Sequence, residues 1–307
     1  MRNYSAARPR GQGGCLCYNR GMNPAAAFAR PVSDLARERR SCRSFAAAAP
    51  DAALLEEARR FAAAVPAPFA SRLRFGLIDN EKVRADNLFS AGSYGMIKGA
   101  RFYLAALVRR EEARRWEDAG FALEAAVLQA TALGLGSCWI GGVFDRRRFG
   151  RALEMGDDEQ LPAVIALGLP ADRRTLRDRL VRWSARGDRR RPGAELFFLG
   201  GWRAPLADAG EWSGVLECVR LAPSASNKQP WRLVRGAGAF HFFLARDKAY
   251  GAMMPLADLQ RIDLGIAMCH FQFSAKEFGF QGKWSVEDPR IPDTPGNFEY
   301  IASFVKE

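Results

Sequence analysis

A chain of 307 residues and 34.0 kDa, 48% hydrophobic and 26% charged, has room for a sizeable core and the make-up of an ordinary globular protein. Its net charge of +12 is carried mostly by arginine, with lysine only at 82, 98, 228, 248, 276, 283 and 306, and the basic residues are interleaved with acids, as in RREEARRWED (Arg109–Asp118). With no nucleic-acid motif beside that charge, an anionic small molecule is the better expectation for a partner than DNA or RNA.

The opening MRNYSAARPRGQGGCLCYNRG lacks the apolar core of a signal peptide and reads as a disordered tail over residues 1–25, with Met22 an alternative start. Ser33 and Asp34 are suited to cap a short helix ending near Ser41, and Pro50-Asp51 opens a second helix, ALLEEARRFAAAV, closed by Pro66 and Pro68. Strands are predicted at 72–78 and 101–108. A long helix follows from about 111 to 133, then extended chain at 138–143, a short helix at DRRRF, and a buried strand at LPAVIALG (161–168). The run 119–144 is nearly uncharged, but Glu124 and Gln129 interrupt it and a Gly-rich stretch ends it. A spanning helix needs about 20 unbroken apolar residues, so this run is a core helix and strand, and no membrane partner is expected.

Residues 171–193 are rich in arginine and turn formers and read as an excursion. Beyond them the plan repeats: a helix at 211–222, strands at WRLVR and FHFFLA, a long helix within 256–280, and strands near Lys283 and at FEYIASFV. Asp118, Gly120, Ala122, Gly134 and Trp139 recur at one offset of 145 as Asp263, Gly265, Ala267, Gly279 and Trp284. Small residues on both long helices would let them cross closely. The expectation is an α+β fold of two related halves, 26–200 and 201–307, each with an antiparallel-rich sheet and a long central helix, packed as one unit.

Six scattered cysteines without a Cys-x-x-Cys pair, and only two histidines (His241 and His270), argue against a zinc site and for reduced thiols of a cytoplasmic protein. Both histidines lie in apolar segments, where a hydrogen-bonded core residue is expected ahead of a catalytic one. Glu124 reads as a hydrogen-bonded or edge-exposed carboxylate ahead of a general acid.

The polar loops differ between the halves. The first carries RERRSCRSF (Arg37–Phe45); the second carries PSASNKQPW (Pro223–Trp231), where the first has AAVPAPFASRL. Together with GLGSCWIGG and LPAVIALGLPADRR, these motifs resemble the nitroreductase family of FMN-dependent oxidoreductases over roughly residues 30–305. In most of that family the PSxxNxQPW loop follows soon after RRSxRxF, and the flavin sits at a dimer interface; here that loop arrives late, which resembles a single-chain branch whose fused halves imitate the dimer. The resemblance implies that Arg39, Arg40 and Ser41 hold the FMN phosphate, with forked guanidinium donors and a hydroxyl suited to a dianion. It implies a reach by Arg43 toward the ribityl chain or pyrimidine edge, and a completing basic pair at Arg177 and Arg179. Pro223, Ser224, Ser226 and Asn227 would border the isoalloxazine edge. Backbone of Ile140, Gly141 and Gly142 would lie near its reactive nitrogen, although many relatives carry an acidic residue where Gly141 stands. Tyr94 lies where the family often places polar groups near the ring. The implied activity is hydride transfer from NADH or NADPH to flavin and on to a small-molecule oxidant, a nitroaromatic or quinone, in a monomeric pseudo-dimer with no obligatory acid–base residue. The alternative is a non-catalytic flavin- or anionic-ligand-binding protein on the same fold.

Overall fold

The computed structural model describes residues 28–81, 97–142, 144–171, 189–253 and 255–307. The expected tail, Met22, Tyr94, Arg177 and Arg179 lie outside the described residues.

In chain order the first part contains α1 (Val32–Glu38), α2 (Ala52–Ala64), β1 (Leu73–Asp79), β2 (Phe102–Arg109), α3 (Arg115–Ala132), β3 (Gly136–Ile140), α4 (Arg146–Ala152), β4 (Glu159–Gln160) and β5 (Val164–Gly168). The second contains a short turn of helix α5 (Gly193–Leu196), β6 (Phe197–Leu199), α6 (Ser213–Leu221), β7 (Trp231–Arg235), β8 (Ala239–Ala245), α7 (Lys248–Met253), α8 (Leu259–Glu277), β9 (Gly282–Ser285) and β10 (Phe298–Lys306). The long helices end on glycines in the left-handed region, Gly134 (φ 75°) and Gly279 (φ 84°), where a residue without Cβ closes the last turn at low cost.

Two sheets result. One runs β1-β2-β5-β3, with β4 added on β2; the other runs β6-β7-β8-β10-β9. All pairs are antiparallel except β6 with β7. Leaving out β4 and β6, the strands meet in the same relative order, and each sheet has one long helix packed against it. The mixed helix and sheet architecture is the α+β class that the sequence predicts.

The centre of the molecule is the contact between α3 and α8, which are buried along most of their lengths, as helices apolar on nearly every side must be. Gly120 and Gly265 make the approach possible. A Cβ on Gly120 would lie 2.2 Å from the carbonyl oxygen of Ile262, and one on Gly265 would lie 1.9 Å from that of Glu117. The contact is reciprocal, since 265 − 120 and 262 − 117 both equal 145. Asp118 accepts the backbone N–H groups of Phe69 and Ser71 just before β1, and Asp263, 145 residues on, accepts that of Ala225 before β7.

Ser33 does not cap α1. The helix begins at Val32 after Pro31, and Ser33, already inside the first turn, donates its backbone N–H and hydroxyl to the Glu277 carboxylate at the far end of α8. A carboxylate that reaches two donors outcompetes a local cap. Among the described residues no helix is long and apolar enough to cross a membrane.

Candidate functional site

The arginine-rich loop begins where α1 stops. The backbone N–H of Arg39 donates to the Leu35 carbonyl, and the chain then turns to lie beside β3, with Ser41 bridging Ser137 and the Cys42 N–H donating to the Ser137 carbonyl (2.8 Å). Gly136 permits this approach, because a Cβ there would meet the Cys42 Sγ at 2.8 Å. Further bonds tie Arg43 and Phe45 to Lys98, and Ser44 to Ala171.

The loop forms one wall of a cleft of about 240 Å³, lined by residues 38–44 and closed by Thr131, Gly134, Leu135 and Gly136 at the C-terminal end of α3 and by Pro170 and Ala171 after β5. Arg39, Arg40, Ser41 and Arg43 all line it. Their environments differ sharply. Arg39 is only 5% exposed and its Nε has no hydrogen-bond partner. Burial lowers its pKa from the usual guanidinium value; the Glu124 charge opposes that shift, and the like charges of Arg40 and Arg43 add to it. Arg40 is exposed and donates to the Arg37 and Arg39 carbonyls. A buried cation with cationic neighbours and an unpaired donor is costly to leave as it is, and an anion in the cleft would relieve it. The donor set and the orphaned Nε therefore fit a phosphate. Among the described residues no cluster of His, Cys, Asp or Glu could hold a metal ion.

Beyond Ser137, β3 leads to Ile140, Gly141 and Gly142. The Trp139 indole donates to Glu124 Oε2 (2.7 Å), and Glu124 Oε1 pairs with His270 Nε2 (2.9 Å). Glu124 and His270 are fully buried, so this carboxylate spans α3, β3 and α8 as a structural tie. The turn after β3 is held by the half-buried Arg146, which donates to the carbonyls of Gly141, Leu161 and Pro162. A Cβ on Gly141 would come within 2.9 Å of Leu259 Cδ2, in the first turn of α8.

One turn later on α8, Asp263 receives the N–H of Ala225 (2.9 Å) and so anchors the loop 223–229. Burial pushes the Asp263 carboxyl well above the usual range, and its Oδ2 has no partner. The three segments that the sequence singles out are thus linked in space: 39–43 lies on β3, the end of β3 abuts the first turn of α8, and the next turn of α8 carries 223–229.

Within that loop the side chains are mostly engaged by the protein itself. Ser224 Oγ accepts the Gln229 N–H (2.9 Å), and Ser226 Oγ lies 3.3 Å from the Tyr250 hydroxyl. The Asn227 amide accepts from Arg190 (2.8 Å) and donates to the Arg189 carbonyl (2.7 Å). Gln229, 2% exposed, accepts the Arg191 N–H (2.8 Å). Ser226, Asn227 and Gln229 adopt φ of 50°, 54° and 49°, left-handed without a glycine, while Lys228 between them is right-handed at φ −68°. Arg146, Arg190, Gln229 and Asp263 are the residues that sequence reasoning missed as builders of this region. Asp263 did carry a signal, as one of the five residues repeated at offset 145, whereas Arg190 was hidden in an arginine-rich stretch.

The family profile described as "Putative TM nitroreductase" matches residues 32–275, about four-fifths of the chain. The chain belongs to the nitroreductase family. Among solved structures, a "putative nitroreductase" from Thermotoga maritima is 19% identical, with a TM-score of 0.55, over 91% of this chain and 95% of that one. That likeness extends the shared nitroreductase fold across both parts of the molecule. A nitroreductase family protein from Clostridium novyi is 23% identical (TM-score 0.41), over 47% of this chain and 87% of its own. A "putative nitroreductase" from Desulfovibrio desulfuricans, solved in complex with FMN, is 26% identical (TM-score 0.40), over 48% of this chain and 93% of its own. No curated protein matches the sequence.

Proposed function

We propose that this nitroreductase-family chain is an FMN-dependent oxidoreductase that takes reducing equivalents from NADH or NADPH and passes them to a small-molecule oxidant such as a nitroaromatic or quinone. The observation that carries the proposal is Arg39, a buried guanidinium with an orphaned Nε in a cleft shared with Arg40, Ser41 and Arg43. Bound FMN supplies the capacity to accept and donate hydride. The residues of the chain bind and orient it. Arg39, Arg40 and Ser41 would meet the phosphate and Arg43 would reach toward the ribityl chain or pyrimidine edge, with Arg177 and Arg179, outside the described residues, proposed as the completing basic pair. Main chain at Ile140, Gly141 and Gly142 and the loop Pro223, Ser224, Ser226 and Asn227 border the ring. With Ser224 engaged inside the loop and Asn227 by Arg189 and Arg190, the ring would be met there mainly by backbone and by the exposed Ser226.

We further infer that the halves 26–200 and 201–307 are duplicated units imitating a dimer within one monomeric, cytoplasmic chain. The reciprocal Gly120 and Gly265 contacts, the paired roles of Asp118 and Asp263, and the matching strand order support this reading.

The test is the visible absorption spectrum of the purified protein, with added FMN where needed, before and after NADH or NADPH under anaerobic conditions. Flavin bands that bleach are expected. Bands indifferent to both reductants would favour a non-catalytic flavin-binding protein, and a protein that takes up no FMN would overturn the flavin site.

A further inference from the structure

Part of the loop 223–229 is held in a conformation that most residues other than glycine and asparagine do not favour. Three non-glycine residues among four, Ser226, Asn227 and Gln229, are left-handed, where Cβ crowds the following carbonyl. Such a run persists only when its surroundings over-determine it. The constraint comes from residues 189–191, which precede α5. One nitrogen of the Arg190 fork donates to Asn227 Oδ1 (2.8 Å) and the other to the Leu221 carbonyl at the end of α6 (3.2 Å). Arg190 thereby ties the loop to the helix it leaves. The Arg189 carbonyl receives Asn227 Nδ2 (2.7 Å), and the Arg191 N–H donates to Gln229 Oε1 (2.8 Å). Lysine, a single compact charge, could not span two acceptors in this way.

We propose that Arg190 is a positioning residue for the flavin site: it locks Asn227 and its neighbours in the left-handed conformation that presents the loop backbone to the ring. This rests on the proposed FMN site. It assigns Asn227 a part in loop shape, with its side chain consumed by Arg190 and Arg189, and it brings into the site a stretch that no motif marks.

The test compares wild type, Arg190→Leu, Asn227→Gly and the double variant, reading FMN dissociation constants by flavin fluorescence and amide hydrogen exchange in the apoproteins. Arg190→Leu is expected to weaken FMN binding about tenfold or more, as loss of a charge-assisted clamp should. It should also speed exchange at 225–229 while β7 and β8 stay protected. Glycine adopts the left-handed region without strain. The double variant then tests whether Arg190 acts through Asn227: Arg190→Leu should cost clearly less FMN affinity in the Asn227→Gly background than in wild type. Unchanged affinity in Arg190→Leu, or a loss from Arg190→Leu just as large in the Asn227→Gly background, would overturn the assignment. If wild type binds no FMN, the flavin reading fails by itself and the exchange data decide the clamp: faster exchange confined to 225–229 upholds it, and unchanged exchange overturns it.

Discussion

Replacing Gly265 by alanine should damage this protein although alanine is the better helix former. In an isolated helix the change would gain about 1 kcal/mol. Here the new Cβ would sit 1.9 Å from the Glu117 carbonyl oxygen, 2.7 Å from its carbon and 2.9 Å from the Phe121 nitrogen, all backbone atoms of α3. No side-chain rotation relieves such a clash. To reach even 3.0 Å from the oxygen, the helices must separate by about 1.1 Å (3.0 − 1.9). That movement would loosen the packing of Phe121 on Phe273, whose ring centroids lie 5.8 Å apart, and stretch the 2.6 Å bond from Arg261 to the buried Glu117 carboxylate. Overpacking a well-filled core costs about 1–3 kcal/mol, and a backbone clash belongs at or above the top of that range. A net loss of about 2 kcal/mol should remain after the helix gain, equivalent to a fall in Tm of about 3 °C for a chain of this length. Urea unfolding of wild type, Gly265→Ala, Gly120→Ala and the control Gly201→Ala, where a Cβ meets nothing within 4 Å, reads this directly. Gly120→Ala should be similarly destabilised. The double variant should lose less than the sum of the two, because once the helices have parted the second methyl finds room. A Gly265→Ala protein as stable as wild type would refute the close crossing of α3 and α8.

Arg39→Leu should separate ligand binding from folding: FMN affinity falls tenfold or more, while the apoprotein's Tm holds or rises because a buried guanidinium with an unpaired Nε is gone. Parallel losses in both measurements would count against the phosphate role. The buried Asp118 carboxyl is pushed up to about 6, chiefly by burial. Folding therefore favours its protonated form, and its contribution to stability is complete below about pH 4 and lost as pH rises through 6, by about 3 kcal/mol. Asp118→Asn should flatten the stability–pH curve in that window, as followed by urea midpoints from pH 4 to 7; an unchanged slope would show that Asp118 does not carry it. Glu124→Ala should lower unfolding free energy by about 2–4 kcal/mol, because it leaves the buried His270 Nε2 and the partly buried Trp139 Nε1 without partners. Glu124→Gln, which keeps an acceptor for the indole, should lose less.

Much of the architecture was legible in the chain because it depends on local rules. The apolar runs at 161–168 and 240–245 hold strands β5, from Val164 on, and β8, and the long apolar stretches ending at Gly134 and Gly279 are helices buried nearly all round. Gly120 and Gly265 stand out even in the linear text, because small residues at corresponding places on two such helices imply close passage. The polar loops RRSCRSF and PSASNKQPW likewise carry their composition openly, and the family to which they point is the one the chain belongs to.

What the linear text could not decide was which group meets which across the fold. Ser33 has the composition of a cap, yet it binds Glu277, 244 residues away, because that carboxylate satisfies two donors at once. In RERRSCRSF every arginine looks alike; only the packing of the loop between β3 and α3 buries Arg39 and leaves Arg40 at the surface. Asn227 looks like a ligand-facing amide until Arg190 takes it. By itself the sequence determined the elements, the doubling of their order and the loops proposed to bind the flavin, since periodicity and turn chemistry act over a few residues. The tertiary structure alone decided which guanidinium is desolvated and which hydrogen bonds are already spent, because burial and long-range pairing belong to no single stretch of chain.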